Sequence, residues 1–213
     1  MDGAGGAVRG GGKVVKNAAG FPFHRLMVGA LGAFGVMVEL SFKVFPRPRT
    51  TRTLRVRREG LKEALADLER LRLLPLDLLA LDLVPPATLE LRLGGFERSV
   101  EARLKRLQDL LGDGEAVRDL GFLEGSPIWV KVPAKPHLIP RLEALPLGPR
   151  RYLDGGEVLY AGTTEEGLKA LREEGLPHLV LRGAEAPLFP EPQGAFFAGV
   201  KKALDPKGRF PLG

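Results

Sequence analysis

The sequence predicts an α+β fold on three observations. Apolar residues alternate with polar ones in short runs, as in Val36–Val44 and Ile128–Val132, which is the period of half-buried strands. Leucines three and four apart from Leu61 to Leu71, and a similar stripe from Val100 to Leu111, mark amphipathic helices. The elements run strand, helix, strand, strand, helix, and that order then recurs with a closing strand. Such an order suits helices packed on one face of an antiparallel sheet, as in two ferredoxin-like units side by side.

Taken in order, residues 1–12 are glycine-rich. From Val36 the residues Val36, Val38, Leu40, Phe42 and Val44 point one way, with Glu39, Ser41 and Lys43 opposite. This predicts a strand that Pro46 ends, because proline cannot continue a ladder. Thr51–Arg58 reads as a strand, 60–74 as a helix, and 77–84 and 88–93 as strands around a Pro85-Pro86 turn. Ser99 offers an N-cap to the helix that carries Val100, Leu104, Leu107 and Leu111, and 114–122 reads as a short helix. Then come a strand at Ile128–Val132, a helix over 136–145, and a hairpin of 150–153 with 157–161 turning at Asp154-Gly155. Thr163 with Glu166 forms a capping box for a helix that stops at Gly175, and His178–Arg182 is a last strand. After the proline-rich 184–193, a helix spans Gly194–Leu204.

Composition limits the function. With 213 residues the chain can bury a substantial core. It has no cysteine, which excludes disulfides, thiolate nucleophiles and iron–sulfur ligation by this chain. The net charge of +6 is spread among acids, as in EARLKRLQDLLGDGE, and no basic run with interleaved aromatics occurs; nucleic-acid binding is not expected. No stretch reaches transmembrane length and no signal-peptide core is present, so the expectation is a cytoplasmic location. Asn17 is the only asparagine, and only two glutamines occur, a scarcity of thermolabile amides that fits a heat-adapted source.

Several chemistries fail on spacing. Ala7 stands six residues before Lys13 and Val14 follows it, so the first glycine cluster is no P-loop. Gly29, Gly32 and Gly35 lack the G-x-G-x-x-G spacing. His24, His137 and His178 are scattered, so no metal site is expected. No catalytic residue is assigned. The glycines at 29, 32 and 35 leave two readings open: close packing of a buried apolar segment, or a turn of bare main chain facing a phosphate or a flat ring.

The stretch KVVKNAAGFPFHRLMVGALGAFGVMVELSFKVFP resembles the later part of the flavin-binding domain in FAD-linked oxidases related to vanillyl-alcohol oxidase, and within them the E subunits of bacterial glycolate oxidases. That group reads K-N-x-A-G-Y-D, then R-L-x-x-G-S-x-G-T-L-G, then an alternating strand with an acid. Lys16, Asn17, Ala19, Gly20, Arg25, Leu26, Gly29, Gly32, Gly35 and Glu39 match in order. Phe21-Pro22-Phe23 departs from the tyrosine–aspartate element, and Ala30 and Ala33 replace a serine and a threonine. The ending LDPKGRFPLG resembles the family's F-D-P-x-G-x-F-N-P-G-R segment at Asp205, Pro206, Gly208 and Phe210.

The resemblance implies a division into 1–48, the later part of a flavin-binding domain; 49–190, a cap domain; and 191–213, a segment that returns to the flavin domain. The family's earlier half, with its main pyrophosphate loop, is expected on a missing N-terminal portion. Lys16, Asn17, Gly20, Gly29, Gly32, Gly35 and Val36 are thereby assigned to the flavin-facing side, with FAD as cofactor. The implied activity is oxidation of glycolate or a similar 2-hydroxy acid. The implied partners are a D-type flavin subunit and an F-type iron–sulfur subunit, in a complex peripheral to the inner membrane. On this reading the chain alone is inactive. The alternative is an assembly subunit that has lost flavin binding.

Overall fold

Leu89, Leu91 and Leu93 are buried, and the two strands that pair with theirs turn their own apolar rows to the same side. The computed structural model describes residues 2–11, 22–112, 114–118, 125–185 and 194–210. They form two compact units, Pro46–Glu185 and Met1–Phe45 with Ala186–Gly213.

The larger unit runs β1 (Thr50–Arg57), α2 (Leu61–Arg72), β2 (Ala80–Val84), β3 (Thr88–Gly95), α3 (Glu97–Leu111) and β4 (Glu115–Val117). It continues with β5 (Ile128–Pro133), a 3₁₀ turn leading into α4 (Ile139–Glu143), β6 (Arg150–Leu153), β7 (Val158–Thr163), α5 (Glu165–Glu173) and β8 (Leu179–Arg182). One antiparallel sheet results, in the order β4-β1-β3-β2-β6-β7-β5-β8. Each half lists its fourth, first, third and second strand from its outer edge inward, and the halves meet where Leu83 pairs with Tyr152. The mixture of helices with an antiparallel sheet is the α+β class that the periodicities predict.

Register decides which side chains are buried. Leu54 opposes Leu91 and Val56 opposes Leu89, while Leu81 and Leu83 oppose the same two leucines from β2. Ala64, Leu68 and Leu71 of α2, Val100, Leu107 and Leu111 of α3, and Leu168 and Leu171 of α5 cover that face. Each fully buried leucine contributes about 1.5–3 kcal/mol, and the face is continuous across both halves.

Four local expectations are corrected. Ser99 is not the cap of α3: Phe96, extended at φ −76° and ψ 144°, precedes a helix that already starts at Glu97. Gly95, at φ 148°, lets the strand turn straight into it. Thr163 stays in β7 opposite Ile128, and Thr164 is the residue before α5. The close neighbour of Thr163 is Gly167, where a Cβ would lie 2.0 Å from the threonine hydroxyl oxygen. Residues 115–117 pair with Thr53–Arg55 as a strand instead of forming a helix, while 119–124 lie outside the described residues.

The fourth correction concerns the smaller unit. It contains α1 (Phe23–Met27) and α6 (Ala195–Leu204), and residues 36–48 take no regular structure. The alternation there is real, but a strand needs a neighbour to bond to, and Val38, Phe42 and Val44 are 70–79 % exposed. Among the described residues no helix is long and apolar enough to cross a membrane.

Candidate functional site

The smaller unit is built around the turn that follows α1. Met27, Ala30, Ala33 and Phe34 are buried, with Phe197, Val200 and Leu204 of α6 packed against them. The Phe34 and Phe197 rings sit 4.9 Å apart, tilted by 47°. The Ala30 N–H donates to the Met27 carbonyl at 3.3 Å and the Ala33 N–H to the Ala30 carbonyl at 2.8 Å. Two tight turns in succession therefore fold the chain, and they demand left-handed backbone at Gly29 (φ 78°), Leu31 (φ 47°) and Gly32 (φ 88°).

Gly29 and Gly32 answer the question their spacing raises. A Cβ built on either meets nothing within 4 Å, so crowding within the chain does not require glycine there. The backbone angle does, and its consequence is a stretch of main chain without side-chain cover at those two positions. Ala30 and Ala33 point the other way, into the packing against α6. A hydroxyl at either place would face apolar side chains, not the bare side of the turn.

The tail is tied to this turn by one lysine. Lys201 Nζ donates to the Ala33 carbonyl at 2.8 Å and to Asp205 Oδ2 at 2.7 Å, and also to the Phe210 carbonyl. Asp205 further accepts the Arg209 N–H and the Phe210 N–H, both at 2.8 Å. Gly3 donates its N–H to the Leu204 carbonyl at 2.8 Å, and a Cβ on Gly3 would fall 2.1 Å from Asp205 Oδ1. Burial by itself would raise the Asp205 carboxyl. The Lys201 hydrogen bond, the two backbone N–H groups and the lysine charge outweigh it and lower the pKa to about 2.

Of the residues expected to face a flavin, Gly29 and Gly32 lie together on the exposed side of the turn. Gly35 is buried, at φ 157°, and Val36 follows it half exposed. Lys16, Asn17 and Gly20 fall outside the described residues. The turn fits a group held through main-chain atoms, since from Pro22 to Val36 the only polar side chains are those of His24 and Arg25. Sequence reasoning missed Lys201; the available signal was its i,i+4 spacing from an aspartate that starts a D-P-x-G turn.

A second polar constellation lies on the sheet of the larger unit, on the side away from the leucine row. Arg151 Nη1 donates to Asp82 Oδ2 at 2.9 Å and its Nη2 to Glu90 Oε2 at 2.5 Å, while Arg55 Nε donates to Glu90 Oε1 at 2.9 Å. Burial pushes the Asp82 carboxyl up, against the pull of Arg151. Tyr152 donates to Glu143 Oε1 at 2.6 Å; burial and that carboxylate both raise its phenol. Among the described residues no group of three or more histidine, aspartate or glutamate side chains is placed to hold a metal ion.

No family profile matches the chain. It is 34% identical over 225 aligned positions to the glycolate oxidase subunit GlcE of Escherichia coli (strain K12), a match that takes in 100% of this chain and 62% of the relative. A shorter stretch, 39% of the chain, is 35% identical over 83 residues to 16% of the glycolate oxidase subunit GlcD of Bacillus subtilis (strain 168). The chain thus spans about three-fifths of the GlcE relative. Along its whole length, then, the chain is similar to the glycolate oxidase subunit GlcE.

Proposed function

We propose that the chain serves as the FAD-binding-type subunit of a glycolate oxidase complex, supporting oxidation of glycolate or a similar 2-hydroxy acid to the 2-oxo acid. The observation that carries this reading is the joint one at the turn: a match to GlcE over the whole chain, and main chain left open at two of the glycines the resemblance assigns. In this proposal Gly29 and Gly32 bring main chain against the cofactor, with Lys16, Asn17, Gly20, Gly35 and Val36 contributing on the strength of the resemblance. The cofactor, when bound, supplies a hydride acceptor.

The chain's own residues set the surface. The turn offers a face without side-chain bulk, and α6 backs it through Ala30, Ala33 and Phe34. Lys201 holds the Ala33 carbonyl and the tail in one hydrogen-bonded cluster, which fixes the turn before any ligand arrives. The larger unit, read as a cap of two ferredoxin-like units, is proposed as the substrate-side domain. Its partners would be a D-type flavin subunit and an F-type iron–sulfur subunit, with the complex on the cytoplasmic side of the inner membrane.

A second reading, an assembly subunit without flavin, rests on Phe21-Pro22-Phe23, which replaces the family's tyrosine–aspartate element. Co-purification with the D-type and F-type subunits, followed by a visible spectrum of each separated component, decides between them. Flavin absorbance on this chain supports the first reading. Flavin confined to the D-type component supports the second.

A further inference from the structure

The larger unit contains a seam. Its half-sheets join along β2 and β6, where Leu83 opposite Tyr152 is the one residue pair in register among the described residues. Within each half the ladders are long: β1 pairs with β3 along Thr50–Arg57, and β5 with β7 along Ile128–Pro133. A seam with so little backbone bonding depends on its side chains.

The polar side chains that cross it are buried and charged. On the side away from the leucine row, Asp82 stands beside Glu90, and Glu90 beside Arg55. In the second half Arg151 stands beside Tyr160, and Tyr160 beside Lys131. Asp82 and Arg151 therefore hold equivalent places in the two halves, with opposite charge. Arg151 reaches over the seam to Asp82 and Glu90 at 2.9 and 2.5 Å, and Asp82 also accepts the backbone N–H of Asp154. Arg72 of α2 and Glu157 make another ion pair across the seam, but both are partly exposed and such pairs hold weakly. Arg151 Nε is buried and has no hydrogen-bond partner among the described residues. An apolar pair would join the halves without that unmet donor, yet would not distinguish one half from the other.

We propose that the β2–β6 seam is a hinge between two leaves, one carrying β1 to β4 and the other β5 to β8, and that Arg151 is its clasp. With the clasp closed the leaves open as one body. Without it each leaf opens on its own.

Hydrogen exchange of the full chain in a urea series reads both leaves at once. In the parent, amides of β1 and β3 and amides of β5 and β7 should lose protection at the same urea concentration. Arg151→Met strands Asp82 and Glu90 in the first leaf, so β1 and β3 should open about 1 M urea before β5 and β7. Asp82→Asn with Glu90→Gln strands Arg151 in the second leaf, and the order should reverse. Arg151→Lys keeps the charge but cannot fork to both carboxylates, so it should repeat the Arg151→Met order with a smaller gap; it carries the test should Arg151→Met fail to fold. Leaves that shift together in every variant overturn the proposal. So does the same leaf opening first in both kinds of variant, or a parent whose leaves already open separately.

Discussion

Lys201 Nζ lies 2.8 Å from the carbonyl oxygen of Ala33, in the middle of the glycine turn, and 2.7 Å from Asp205 at the start of the tail. One ammonium group therefore joins two segments more than a hundred and sixty residues apart in sequence. Lys201→Met should leave the larger unit intact and loosen both ends of this link. In hydrogen exchange, amides at 30–34 and at 205–210 should speed up together by about tenfold or more, the scale of losing a hydrogen bond to a charged group. Lys201→Arg should recover part of that protection. Faster exchange in the tail alone would mean the Ala33 contact does not hold the turn.

The tail also has an acid limit. Asp205 has a folded pKa of about 2 against an ordinary value of 3.8, so its contribution is present above 3.8 and is lost as pH falls through about 2. Amides at 205–210 should lose protection across that window, and Asp205→Asn should flatten the dependence. Asp82 has the opposite sign. Burial raises its pKa, so its ionisation works against the fold as pH climbs above 3.8, and acid does not weaken the sheet through it.

Glycines 3 and 32 should respond differently to the same substitution. Gly32→Ala meets open space and costs only the left-handed backbone, about 1 kcal/mol. Gly3→Ala drives a methyl to 2.1 Å from Asp205 Oδ1 and must displace that carboxylate or its own strand of chain. Thermal melts should separate the two variants clearly. If Gly32→Ala keeps its stability but loses FAD in co-purification, the bare main chain at 32 is a cofactor contact.

In the sheet, Arg151 holds two buried carboxylates. Arg151→Met leaves Asp82 and Glu90, both at most 2 % exposed, with less compensation, at a cost of about 3–5 kcal/mol. A urea titration measures this directly. Replacing Arg151, Asp82 and Glu90 together by apolar residues should recover much of the loss, because no uncompensated charge remains.

The periodic parts of the chain were legible. The leucine stripes of α2 and α3 and the alternation of β5 follow from burial on a single face, and each formed where the pattern placed it. Caps were less legible. Ser99 and Thr163 have the right chemistry, but tertiary register kept Thr163 in a strand and let α3 begin before Ser99. The alternation from Val36 to Val44 carried the same signal as β5, yet pattern fixes only which side chains would share a face, while a ladder also needs a bonded neighbour. At the turn, spacing marked Gly29 and Gly32 but could not say that Ala30 and Ala33 face inward, nor that Lys201 would reach the Ala33 carbonyl.

The most direct measurement of the central claim is the visible spectrum of this chain after it is separated from co-expressed D-type and F-type partners. A flavin band that stays with the chain, and is reduced by Gly29 and Gly32 substitutions that leave its melting temperature within a few degrees, is the predicted result. A colourless, folded chain beside a yellow D-type partner would contradict it.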